Sequence, residues 1–483
     1  MPGGSLDRRL GPEDYAFLLM DSDTEPANIG SVAIFEGDIS LREFVENLES
    51  KLHLIPRYTQ IVVSAPFEIG RPTWEADPHF DIHRHVHEVW LDAPGSQDQV
   101  LDFAAEVYSR QMDRSRPLWE MYMVKGLEGG DTALITVIHH CLVDGVGGVE
   151  LAMVILDTVP NPKRVTQVPP VDRSPLPSRE SLFFDAFFDD IAEGLERAEA
   201  WQKRFSQLLA RQEAGWLRGL RSALQAAIPY FAMPVEKAPF NKKLSGRRQL
   251  AVSPFSLVEF RQIKDATGTT INDLALTVVG SAVGRYLNMH GQETEDRMLR
   301  VLMPVNVRKQ DQAGRMGNRI SFLVVEVPVG ECTPLERLAA INENTTWLKT
   351  EHAGDGIEMI GEELLMLPTP LLKSFAAFGW PPNTISNMIC TNVPGPPMPL
   401  YTVGHRLLSH YALAPISWEQ GLSCTITSYD QEIVFTLVVD PEALPDVGRL
   451  KLLIDEAYEE LRGAAGLEER FVEADTGAGV AAN

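Results

Sequence analysis

The chain has 483 residues, 44% of them hydrophobic, enough to bury the core of a protein of two or three domains. Its 43 basic against 67 acidic residues leave a net charge of −24, which excludes a nucleic-acid binder and a generally basic membrane-surface protein; an anionic substrate must find a local basic patch. Four scattered cysteines, Cys141, Cys332, Cys390 and Cys424, show no metal spacing, so a reducing cytoplasm is the expected location.

At the start of the chain, the apolar run Tyr15 to Met20 is too short for a signal peptide or a membrane anchor. Leu10 to Phe17 reads as a turn and a short helix, and Ile29 to Phe35 as a strand. Leu41 to Leu54 has helical spacing at Phe44, Leu48 and Leu52 and is ended by Pro56-Arg57-Tyr58. His83, His85 and His87 alternate as the outer positions of a half-exposed strand would, a reading preferred to metal ligation. Pro117-Leu-Trp-Glu120 introduces the strand Met121 to Val124.

The stretch Thr132 to Gly148 carries the chemistry. Its Leu, Ile, Val and Thr run, entered from Gly129-Gly130-Asp131, fits a strand covered on both faces, with His139 and His140 at its end. Successive side chains on an extended backbone point to opposite sides, so one imidazole faces the chemistry and the other the scaffold. A neutral imidazole, with an ordinary pKa of about 6.5, can take a proton from an alcohol near neutral pH, which makes His140 a candidate general base. Asp144 follows four residues later, and Gly145, Gly147 and Gly148 permit a tight turn in which Asp144 braces the loop. The plain alternative is a pair of satisfied core histidines. A metal site from His139, His140 and Asp144 is disfavoured because alternation separates the histidines and no further ligand motif completes the set, so no metal is expected.

After Val159, six prolines between Pro160 and Pro177 mark a linker. Phe184, Phe187, Phe188, Ile191 and Leu195, then Trp201, Phe205, Leu208 and Leu209, then Trp216, Leu220 and Leu224, fall at helical spacing. Such helices are expected to pack on the body of the protein, with lipid contact as the sharper alternative. Thr269-Thr-Ile-Asn272-Asp273 is expected to cap a helix over Leu274 to Leu287. Strands follow at Leu299 to Val307 and Gly317 to Val325. Between Arg297 and Arg319 stand Arg297, Arg300, Arg308, Lys309, Arg315 and Arg319 against the one acid Asp311. That reversal of charge suits either phosphate binding or pairing with buried carboxylates. Leu364 to Trp380 is apolar but short and broken by two prolines, so it cannot comfortably span a bilayer. Leu422 to Asp430 and Ile433 to Asp440 form a hairpin, Val447 to Leu461 a helix, and Thr476 to Asn483 a disordered tail.

His139-His140-Cys141-Leu142-Val143-Asp144-Gly145 resembles the active-site motif of the bacterial wax ester synthase/acyl-CoA:diacylglycerol acyltransferases, relatives of chloramphenicol acetyltransferase and of peptide-synthetase condensation domains. Other stretches resemble the same family in the same order: Leu10 to Phe17, Ile29 to Phe35, Trp74 to Asp81, Pro117 to Glu120, Asn241 to Ala251, Asn272-Asp273, Met303 to Arg308, Gly317 to Val325, and Ile389 to Pro397 with Thr391 where serine is commoner. The resemblance, over roughly residues 6 to 462, implies an α/β fold of two chloramphenicol acetyltransferase-like domains with mixed sheets and an active-site tunnel at their interface. The expected division is 1–165, a linker at 166–240, a second domain at 241–470 and a tail at 471–483. It implies transfer of a fatty acyl group from acyl-CoA to a long-chain fatty alcohol or diacylglycerol. In that reading His140 is the base, Asp144 supports it, and His139, Gly145, Asn272 and Asp273 support the motif. Coenzyme A phosphates would meet Arg308, Lys309, Arg315 and Arg319. No cofactor is implied, since acyl-CoA is a substrate, and the cytoplasmic protein would touch membrane or lipid inclusions only peripherally. Rivals are a condensation-type or polyketide-ester acyltransferase with a carrier-bound donor, and a non-catalytic lipid-droplet protein, against which the intact His140 and Asp144 weigh.

Overall fold

The computed structural model describes residues 8–142, 151–162, 168–210, 235–306, 320–350 and 385–467. The first third supplies helix α1 (Pro12–Met20), strand β1 (Asn28–Phe35), helix α2 (Leu41–Lys51), the hairpin β2 (Gln60–Val63) and β3 (Thr73–Ala76), β4 (Val86–Trp90), α3 (Gln97–Tyr108), β5 (Trp119–Lys125) and β6 (Thr132–His139). A long helix, α4 (Arg179–Ala210), then leads to β7 (Gln249–Ser256), α5 (Leu257–Thr267), α6 (Ile271–Met289), β8 (Met298–Asn306), β9 (Ile320–Pro328) and α7 (Pro334–Thr350). The chain ends with β10 (Met388–Pro394), β11 (Tyr401–Thr402), β12 (His405–Leu413), β13 (Leu422–Tyr429), β14 (Glu432–Val439) and α8 (Val447–Ala464).

Two mixed sheets of six described strands organise these elements. The first runs β11-β12-β1-β6-β5-β4 and the second β7-β14-β13-β10-β8-β9. In the first only β4 and β5 are parallel; in the second β10 runs parallel to both β13 and β8. This α/β architecture of two mixed sheets is the fold class that the sequence implies. The first sheet is not built from the first half of the chain alone, because β11 and β12 come from residues 401–413, within the stretch assigned to the second domain.

Alternation explains the layering. Along β6, Ala133, Ile135 and Val137 enter one apolar cluster with Val100, Ala104 and Tyr108 of α3 and with Leu250, Val252, Val434 and Val438 of the second sheet. Leu134 and Ile138 enter another, with Tyr15 and Leu18 of α1 and Phe44 and Leu48 of α2. The far face of the second sheet packs on Phe260 of α5, Leu276 and Val283 of α6 and Leu453 and Tyr458 of α8. Strand β6 is thus covered on both faces, as its unbroken apolar run requires. Its closeness to β1 demands a glycine: a Cβ on Gly30 would stand 2.7 Å from the Thr136 carbonyl oxygen.

Three expectations need correction. His83, His85 and His87 do not share a strand. Ile82–Arg84 is a single 3₁₀ turn capped by Asp81, and the strand begins at Val86. His85 is buried, stacked on Trp119 at 4.6 Å, with Nδ1 2.8 Å from the Trp119 carbonyl oxygen. The cap of α6 is Thr270, whose hydroxyl accepts from the Asp273 amide while the Asp273 carboxylate accepts from the Thr270 amide; the helix therefore starts at Ile271. Among its described side chains, helix α4 leaves most of its apolar stripe unburied. Leu182 and Ala186 pack on Ala65, whereas Phe184, Phe187, Phe188, Ile191 and Leu195 are exposed. Among the described residues no helix is long and apolar enough to cross a membrane, and Leu364 to Trp380 lies outside them.

Candidate active site

The site is built on the end of β6. His139 pairs with Asn28 of β1, and its amide donates to the Leu118 carbonyl at 3.0 Å. The chain then turns, with the Leu142 amide closing onto the His139 carbonyl at 3.0 Å and the His140 amide donating to the Ala27 carbonyl at 2.8 Å. The two imidazoles leave this turn toward different partners, Asp21 and Phe17, both at the end of α1.

His139 is fully buried. Its Nδ1 accepts the Cys141 amide at 3.1 Å, which puts the ring hydrogen on Nε2, and Nε2 lies 3.8 Å from Asp21 Oδ2. Asp21 stands at the C-terminal end of α1 with its side chain 1% exposed. Its Oδ1 accepts from the Ala27 amide at 3.0 Å, and its Oδ2 from Gln111 Nε2 at 2.7 Å and Arg114 Nη2 at 2.9 Å. Burial alone would raise the Asp21 carboxyl, but the neighbouring His139, Arg114 and Gln111 outweigh it and hold the group well below the usual carboxylate range.

His140 lies flat on Phe17 of α1, ring centroids 3.8 Å apart and planes 10° from parallel. Burial pushes its pKa down to about 4, and neighbouring His139 pushes the same way, while a hydrogen bond to its own main chain opposes them. His140 is therefore a neutral imidazole at physiological pH, with its plane fixed by an aromatic neighbour. Next to it Cys141 is buried, and desolvation raises its thiol well above the ordinary value, so it stays protonated and is no nucleophile.

Asn272 and Asp273 open α6 on the second sheet. The Asn272 side-chain oxygen, Oδ1, accepts from Asn392 Nδ2 of β10. The buried Asp273 carboxylate accepts from Thr270, Asn342 Nδ2 at 2.9 Å and Thr345 at 2.8 Å. Burial would raise this carboxyl, yet those bonds keep it below its ordinary value, which makes it a knot between α6 and α7. Their described hydrogen bonds join neither residue to the histidines. Asp144 and Gly145, and with them Arg308, Lys309, Arg315 and Arg319, lie outside the described residues. Of the same basic cluster, Arg297 donates to the Lys237 carbonyl at 2.8 Å and Arg300 pairs with Glu326 at 3.3 Å, which makes both structural. Among the described residues no three His, Cys, Asp or Glu side chains are grouped to hold a metal ion. Sequence reasoning missed Phe17, Asp21, Ala27 and Arg114; a lone acid closing an apolar helix was the one available hint.

Comparison with known proteins matches the chain to a family. The wax ester synthase/diacylglycerol acyltransferase catalytic domain matches residues 10–275, and the corresponding C-terminal domain residues 316–462. A probable diacylglycerol O-acyltransferase of Mycobacterium tuberculosis is 28% identical over 441 residues, 90% of each chain. A second, from the same organism, is 28% identical over 477 residues, 94% of this chain and 99% of its own. Among solved structures, the wax ester synthase/diacylglycerol acyltransferase of Marinobacter aquaeolei VT8 shares the fold at a TM-score of 0.65 and 22% identity, covering 95% of this chain and 100% of its own. The first condensation domain of the calcium-dependent antibiotic synthetase does so at 0.61 and 14%, covering 95% and 96%. With the catalytic domain alone spanning more than half of the chain, the protein belongs to the wax ester synthase/diacylglycerol acyltransferase family of acyltransferases.

Proposed function

We propose that the protein moves a fatty acyl group from acyl-CoA to the hydroxyl of a long-chain alcohol or a diacylglycerol, with His140 as general base and without a cofactor. The observation that carries this reading is the buried, neutral His140 stacked on Phe17 at the end of β6. His140 takes the hydroxyl proton as the alcohol oxygen bonds to the thioester carbonyl carbon. The tetrahedral adduct collapses, the C–S bond breaks, and the imidazolium returns the proton to the departing thiolate; the products are the ester and free coenzyme A. A dry imidazole resists protonation, but its new charge forms beside the alkoxide, and a water-poor pocket favours that contact pair. The buried, protonated Cys141 argues for direct transfer over an acyl-cysteine intermediate. In this reading Asp144 braces the loop that aims His140 and pairs with Arg308. The Gly145 amide and Asn272 supply oxyanion donors, and Arg308, Lys309, Arg315 and Arg319 receive the phosphates of coenzyme A. The exposed apolar stripe of α4 supports peripheral contact with a membrane or lipid inclusion.

The test is mass spectrometry of the products when purified protein is given palmitoyl-CoA with a panel of alcohols and glycerides. His140→Ala should lose roughly 10²- to 10⁴-fold in turnover while keeping its thermal stability, and His139→Ala should lose less. Turnover retained by folded His140→Ala would overturn the assignment.

A further inference from the structure

We infer that Asp21 is the positioning residue of this active site, its one carboxylate holding both main-chain amides that flank the base. The inference rests on the general-base reading of His140. Two routes run from the carboxylate to the turn. On the first, Oδ1 accepts from the Ala27 amide at 3.0 Å, and the Ala27 carbonyl accepts from the His140 amide at 2.8 Å. On the second, Oδ2 lies 3.8 Å from His139 Nε2, and Nδ1 of that same ring accepts from the Cys141 amide at 3.1 Å. The His140 Cα is thereby held at the amide before it through hydrogen bonds, and at the amide after it through the His139 ring, whose Nε2 faces the carboxylate across 3.8 Å without a hydrogen bond. A third contact reaches the base from above. Arg114 Nη2 bonds Asp21 Oδ2 at 2.9 Å and the Leu18 carbonyl at 2.8 Å, and Leu18 follows the Phe17 that stacks on the His140 ring.

The chemistry of the anion suits the task. A charged carboxylate accepts several hydrogen bonds at once, and charge-assisted bonds of this kind are shorter and stronger than neutral ones. Its side chain is 1% exposed, so water offers no competing partner. An asparagine of the same shape can keep one acceptor but must present hydrogens on the other arm, where Arg114, Gln111 and the Nε2 hydrogen of His139 already point. The second arm then repels what the first still holds. Asp21 touches no reacting atom; it acts through His139 and Ala27.

The experiment compares Asp21→Asn, Asp21→Glu, His139→Gln and Asp21→Asn/His139→Gln with the unmodified protein, each well below its own melting temperature. For Asp21→Asn, kcat should fall roughly 10- to 100-fold, the cost of misplacing a catalytic group, while KM for acyl-CoA and for the alcohol stays within about twofold. Asp21→Glu should recover part of the loss. The double variant should lose less than the product of the single losses, because one route passes through His139. A merely structural carboxylate would lower the melting temperature and leave kcat of the folded protein alone; that result, or strict multiplicativity of the two losses, overturns the inference. The outcome is separable from failure of the underlying reading. If His140→Ala retains turnover, the general-base assignment falls; if His140→Ala loses it and Asp21→Asn does not, only the role of Asp21 falls.

Discussion

A histidine is useful to an acyltransferase only while it is neutral and aimed, and both properties of His140 come from residues distant in sequence. Burial beneath Phe17 holds its pKa down to about 4, so the basic form persists well below neutrality. The limb of kcat/KM that reports this group should stay level from pH 7 to about 5 and fall as pH drops through about 4. Phe17→Ala, by admitting water, should move that limb up toward the ordinary value of about 6.5; a wild-type limb already there would show that His140 is hydrated. The same displacement bears on folding. A histidine whose folded pKa lies below its unfolded one contributes stability that is complete above about 6.5 and lost as pH falls toward 4, because the unfolded chain binds the proton first. His410 on β12, also pushed down to about 4 by burial, adds in the same direction. The histidine pair at the end of β6 could be read from the sequence, since the apolar run that leads to it is a local signal. Phe17 and Asp21 could not, because contacts across more than a hundred residues leave no periodic trace.

At the level of elements, apolar spacing located α4 but misjudged what covers it. The stripe is wider than the face that packs: Leu182 and Ala186 meet Ala65, while Phe188 and Leu195 remain 62% and 63% exposed. Phe67, 90% exposed, stands edge-on to Phe183 at 6.3 Å and extends this apolar surface beyond the helix. Aromatic side chains gathered in this way suit a lipid interface. Asp185 and Asp190 on the same helix favour an uncharged lipid over an anionic one. Replacing Phe187 and Phe188 by Asp should abolish co-sedimentation with phosphatidylcholine vesicles and leave hydrolysis-free turnover of a soluble short-chain alcohol intact; equal vesicle binding by the variant would remove α4 from the lipid contact. The histidine alternation around His85 failed for a related reason. Period-two spacing cannot distinguish a strand from a 3₁₀ turn that hands over to one, and the stacking partner Trp119 lies far along the chain on β5. Local chemistry did better at α6, where a capping stretch was legible at Thr269 to Asp273, although the helix starts at Ile271 and not at the expected Leu274.

For the whole molecule, a net charge of −24 means that coenzyme A approaches against a repulsive field unless a local patch draws it in. Charge reversal at Lys309 or Arg315 should raise KM for acyl-CoA and barely move KM for the alcohol. Wild-type KM for acyl-CoA should rise between low and high salt, and the variants should show a smaller rise. Unchanged acyl-CoA kinetics in both variants would place the phosphates elsewhere. The two mixed sheets followed from the family resemblance, but the exchange of strands between halves did not, since only pairing reveals that Gly30 meets Leu413. That pairing sets the order in which the protein can come into being. As the chain leaves the ribosome, β1 has its β6 neighbour early, while its other edge has no partner until residues 405–413 have been made. An open strand edge invites pairing with other chains, and contacts so distant along the chain form slowly. His140, at the end of β6, is therefore translated long before residues 405–413, whose strand closes the sheet that carries it.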